Sequence, residues 1–126
     1  MSLANPYQQY QQNAVQSAGP GDLVVMLCDG LVRFLKMAIQ SLEGKDVGSA
    51  NNALKKSQDI VNYLNETLNR RFEISGNLSS LYDFMTRQLV NANIKKDPKL
   101  VEEVLGLAQD LRDTWRQAVQ LAKTEG

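Results

Sequence analysis

Cys28 is the only thiol in the 126-residue chain. A cysteine attacks or binds metal as its thiolate, which needs a neighbouring base, cation or second ligand. The chain contains no histidine, so Ser-His and Cys-His nucleophile pairs, most zinc sites and the Glu-x-x-His di-iron pattern of some bundles are absent. In helical register the nearest basic group is Lys36, two turns on. Cys28 therefore reads as a buried structural thiol. No glycine-rich phosphate loop is present, and no pair of carboxylates stands apart from ordinary surface charge. An enzyme is not expected, nor is any cofactor or metal. A lone cysteine forms no intramolecular disulfide, which suits a reducing compartment.

Lys and Arg number 14, as do Asp and Glu. A neutral chain has no global field to steer it onto nucleic acid or anionic lipid. The basic clusters Arg70-Arg71 and Lys95-Lys96 with Lys99 lie near predicted helix ends, where basic side chains suit C-termini. The longest apolar run, Leu23 to Cys28, is far too short for membrane insertion. With no basic region ahead of an apolar stretch, a secretory signal is not expected.

These residues must be positioned by helices. The spacing predicts helix 1 over about 21–42, closed by a glycine stop at Glu43-Gly44-Lys45. Helix 2 covers about 46–69, with a seam of Ala50, Leu54, Ser57, Val61, Leu64 and Leu68. Helix 3 covers about 74–95, with Ile74, Leu78, Leu81, Met85 and Ala92 in one phase, Leu89 beside them and Tyr82 adjoining the seam, its hydroxyl within reach of the bundle edge. Helix 4 covers about 98–122, with Pro98 in its first turn, Asp97 as cap and a seam from Val101 through Trp115 to Ala122. Short connections make neighbours antiparallel, so the expected fold is all-α, an antiparallel up-down four-helix bundle. Residues 21–123 form the bundle and 124–126 a C-terminal tail. Residues 1–20 form an arm, either a short helix or a disordered tail. It carries no charge, and Tyr7, Tyr10 and Ala14 recur at helical spacing.

Helix 1 carries more apolar surface than a bundle stripe of somewhat over about 100° requires. Leu23, Leu27, Leu31, Phe34, Leu35, Ala38 and Leu42 face the core. Val25, Cys28, Val32 and Ile39 widen the arc on one flank, and Met26 and Met37 on the other. Two explanations stay open: helix 1 is the central helix, touching both neighbours and the diagonal one, or one flank is a docking surface for another chain or for the arm. Off-seam apolar residues on helix 3 (Phe84, Val90, Ile94) and helix 4 (Leu100, Leu107, Leu121) could complete a groove. The candidate partner-binding residues are Val25, Met26, Val32, Ile39 and Leu107. A bundle that homodimerises through helix 1, or a regulatory binding module, is the alternative.

Five segments occur together in order: Asn5-Pro6-Tyr7 with Tyr10 and Asn13; Gly19-Pro20-Gly21-Asp22-Leu23 leading to Met26-Leu27-Cys28-Asp29-Gly30; Leu81-Tyr82-Asp83-Phe84-Met85; Leu89-Val90-Asn91-Ala92-Asn93-Ile94; and Leu111-Arg112-Asp113-Thr114-Trp115. In order and spacing the chain resembles the flagellar secretion chaperone FliS family over nearly its whole length. One departure is Cys28, where the family pattern has tyrosine. The resemblance implies a cytoplasmic helical bundle, without cofactor or catalytic residue. It implies binding of the C-terminal segment of flagellin, prevention of premature filament assembly and delivery to the flagellar type III export gate. It also implies that Tyr7 and Tyr10, which match the arm motif, cover part of the flagellin groove when the partner is absent.

Overall fold

A computed structural model describes residues 20–69, 71 and 74–125 as four helices: α1 (Pro20–Glu43), α2 (Val47–Glu66), α3 (Ile74–Lys95) and α4 (Pro98–Glu125). Pro20 opens α1, and Asp22 sits in its first turn, where a carboxylate complements the helix dipole. The chain leaves α1 at Gly44, but the left-handed residue of this stop is Lys45 (φ 57°). The Asp46 N–H donates to the Ser41 carbonyl at 2.8 Å, which closes the last turn. Asp46 then caps α2, accepting from the Ser49 N–H at 3.1 Å. α2 stops at Glu66, short of the expected Asn69, where the Thr67 N–H turns back to the Tyr63 carbonyl. Asp97 caps α4 by accepting from the Lys99 N–H at 2.9 Å. That helix runs to Glu125, three residues past the expected end at Ala122.

The helices follow one another around the bundle. α1 packs on α2 and α4, and α3 packs on the same two helices from the far side. Among the described residues neither diagonal pair brings Cα atoms within 8 Å, so the backbone of α1 is flanked closely by α2 and α4 alone, and it meets α3 through core side chains such as Cys28 and Tyr82. Its wide arc is taken up by its neighbours. Gly21 lies so close to α4 that a Cβ there would sit 2.8 Å from Val119 Cγ2. A turn beyond Val25, Asp29 accepts from Arg116 of α4 at 3.1 Å and lies 3.8 Å from Arg112. On the α2 side Lys56 stands over the Phe34 ring. Exposed ion pairs of this kind contribute about 0–1 kcal/mol each; they fix which side of α1 faces which neighbour.

Leu27, Cys28, Leu31, Val32, Leu35, Leu54, Val61, Met85, Leu89, Val101 and Val104 are buried together in one core. Two expectations on α3 need correction. Its buried phase is Ser75, Tyr82, Met85, Leu89 and Ala92, so Tyr82 lies inside the bundle rather than at its edge. Ile74, assigned to the seam, is 60% exposed. On α4, Trp115 is half-buried and Ala118 and Ala122 are exposed. These departures all fall at one end of the bundle, where its interior is not closed.

Candidate functional site

A half-open cavity of about 460 Å³ occupies that end. All four helices contribute: Gly21 and Val24 from the start of α1, Leu64 from the last turn of α2, Ile74, Leu78 and Tyr82 from the first half of α3, and Leu111, Trp115 and Ala118 from the middle and later turns of α4. Leu68 and Asn69 of the α2–α3 connection line it as well. Its size falls within the roughly 300–1,000 Å³ of ordinary ligand pockets.

Helix lengths account for the cavity. α2 ends at Glu66, so no further α2 turn closes the layer beyond Leu64. The 28-residue α4 overhangs the 22-residue α3. On a helical wheel Ile74 lies only about 20° from the core residue Met85. It points inward yet remains exposed, because nothing on the opposite side covers it. The connection is held by Ser75, whose hydroxyl donates to the Asn69 carbonyl. Asn65 Nδ2 ties the end of α2 to Asp83 Oδ1 of α3 at 3.1 Å. By contrast, the hydrogen bond that Gln88 Nε2 of α3 donates to Glu103 Oε1 of α4 at 2.7 Å lies outside the cavity lining.

The lining is apolar, with few polar side chains (Thr67, Asn69, Ser75, Thr114 and the Tyr82 phenol). It has no charged side chain, which equips it to seat leucine- or aromatic-sized groups and to reject ions. Burial pushes the Tyr82 phenol up to about 12, and the neighbouring Cys28 thiol adds to the rise. Burial likewise pushes the Cys28 thiol up to about 12, reinforced by Asp29 and opposed by Arg112. Both groups are therefore neutral and inert at physiological pH. In each case the folded pKa lies above the unfolded one, so this contribution to stability is full below the unfolded value and is lost as pH rises. Unfolding free energy should fall between about pH 9 and 12, and Cys28→Ala should flatten the lower part of the fall in urea titrations across that range.

None of the five residues expected to line a groove lines this cavity. Val32 is 4% exposed and belongs to the core, which corrects its assignment to a docking flank: that flank is the seat of α4. Val25, Met26, Ile39 and Leu107 are half-buried, with Ile39 and Leu107 packed on the core. Tyr7 and Tyr10 lie outside the described residues. The chain does enter α1 at Pro20, next to the lining residue Gly21. Among the described residues, no helix is long and apolar enough to cross a membrane.

The family model described as "Flagellar protein FliS" matches residues 3–122. A flagellar secretion chaperone FliS of Bacillus subtilis (strain 168) is 46% identical over 120 residues, covering 95% of this chain and 90% of the relative. The protein of the same name in Salmonella typhimurium is 40% identical over 109 residues, covering 84% and 81%. That of Escherichia coli (strain K12) is 32% identical over 111 residues, covering 86% and 82%.

Proposed function

Because the chain belongs to the FliS family of flagellar secretion chaperones, not to an enzyme family, we propose that it binds the C-terminal helical segment of flagellin in the cytoplasm, prevents its premature polymerisation and delivers it to the flagellar type III export gate. The observation that carries this reading is the open apolar end of the bundle. Ile74, Leu78 and Trp115 are core-phase residues left without a covering layer, beside the buried Leu111. An amphipathic helix that laid its apolar face there would supply that layer.

Trp115 is the only tryptophan of the chain and stands on the cavity wall. Titration with a flagellin C-terminal peptide free of tryptophan should shift its emission to shorter wavelength, saturably and one-to-one. Emission that does not respond to a peptide shown calorimetrically to bind would move the site elsewhere.

The same cavity is the proposed seat of the arm. An uncharged segment covers an apolar surface without desolvating an ion, and each buried tyrosine ring contributes about 1.5–3 kcal/mol before ordering costs. Residues 11–19 between Tyr10 and Pro20 span up to about 30 Å when extended, enough to bring both rings back over the end of α4. A bound arm lowers apparent partner affinity by the uncovered fraction. Tyr7→Ala/Tyr10→Ala should therefore raise the association rate of the flagellin peptide in stopped-flow. A slower or unchanged rate removes the autoinhibitory role, and weaker equilibrium binding assigns the tyrosines to direct contact instead.

A further inference from the structure

The end of the bundle opposite the cavity carries a second exposed apolar surface. Ile94 is 74% exposed, Val47 54% and Val90 41%. Val90 and Ile94 stand one turn apart on α3. Asn93 Nδ2 donates to Asn51 Oδ1 of α2 at 2.8 Å, and Val47 lies one turn before Asn51. The three apolar side chains thus share the α2–α3 edge. Arg87 continues the α3 stripe, Lys55 stands a turn after Asn51, and Lys95 follows Ile94.

The neutral total conceals a polarity. Residues 32–56 and 85–109, the half of the bundle at this end, carry nine Lys and Arg against five Asp and Glu; the rest of the chain carries five against nine. The ion pairs among the described residues use Asp22, Asp29 and Asp113 with Arg112, Arg116 and Lys123, all in the other half. At this end Asp46 and Asp97 are engaged as helix caps, and Glu103 accepts from Gln88. The undescribed segment 1–19 carries no charged side chain. Among the described residues no ion pair engages Lys55, Arg87 or Lys95; Asp59 and Asp83, one turn from Lys55 and Arg87 along their own helices, are the nearest carboxylates in sequence. The helix dipole adds to the setting of Lys95 at the end of α3.

We propose that the α2–α3 edge is a second docking surface, separate from the cavity, and that its occupant is an acidic amphipathic helix of a partner protein. The apolar face of that helix seats on Val47, Val90 and Ile94, and its carboxylates meet Lys55 and Arg87 across the apolar strip and Lys95 at its end. Charge selects this occupant: the cations outnumber the acids in this half of the bundle, so a basic or neutral helix gains nothing from the excess, and bare phosphate leaves the apolar strip unused.

The probes are two synthetic helical peptides with the same leucine pattern, one with glutamate and one with lysine on the polar face, and vesicles containing phosphatidylserine. Backbone amide shifts of the full chain are followed by NMR. The glutamate peptide is expected to shift amides at 47–55 and 87–96. Arg87→Glu/Lys95→Glu should weaken it about tenfold at low salt, and Ile94→Ser should weaken it at all salt concentrations. Both variants should keep the thermal melt and the flagellin-peptide affinity of the parent. Equal binding of the lysine peptide, shifts confined to the cavity residues, or indifference to both variants would overturn the proposal. So would binding to the vesicles alone, which would assign the cations to a lipid surface.

Discussion

Ile74→Asp is expected to weaken binding of a flagellin C-terminal peptide by about a hundredfold while leaving the thermal melt close to that of the parent. Ile74 is largely exposed in the free chain, so an aspartate there remains hydrated and costs the fold little. When a partner helix closes the cavity, the same carboxylate loses its water among Leu78, Leu111 and Trp115 with no cation in the lining to receive it. The penalty therefore falls on the complex and not on the fold. Calorimetric titration beside a thermal melt separates the two. Undiminished affinity would remove Ile74 from the site, and a collapsed melt would make it a core residue.

Leu35→Ala should produce the opposite pattern. Leu35 is fully buried in α1 between α2 and α4, and truncation of such a residue costs about 3 kcal/mol through lost transfer energy and a residual cavity. Against a total of about 5–15 kcal/mol for a domain, that is a loss visible as an earlier midpoint in urea at unchanged slope. Ile74→Ala, equally apolar and also in a core phase, should change stability by no more than about 0.5 kcal/mol. The sixfold contrast between two residues on core-facing phases measures how much of the bundle's interior is left open for a partner. Equal losses would mean that the end of the bundle is closed in solution.

Angular position was legible in the sequence; axial closure was not. The steps of three and four placed Leu31, Leu35, Leu54, Val61, Val101 and Val104 inside, and all are buried. Pro20, Pro98, Asp46 and Asp97 marked helix starts that the structure keeps within a residue. A wheel, however, treats every layer as covered. It therefore placed Ile74, Leu78 and Trp115 in the core, although α2 ends too early to complete their layer. It also left a docking flank at Val25, Val32 and Ile39 as an open alternative, because no single-helix pattern shows that α4 sits there, drawn close by the bare Gly21. The signal that could have found the cavity was the unequal helix length: a glycine-free connection after Glu66 against an α4 pattern that continued past Ala118. Tyr82 was misjudged for a related reason, since its hydroxyl suggested an edge while its ring area required the interior.

Amide hydrogen exchange of the full chain with and without a flagellin C-terminal peptide tests the central claim most directly. Docking at the open end predicts new protection concentrated in residues 64–69, 74–82 and 111–118, with the middle of α1 unchanged because it is already sealed by α2 and α4. Protection centred on residues 25–39, or none at the cavity with the peptide bound, would contradict it.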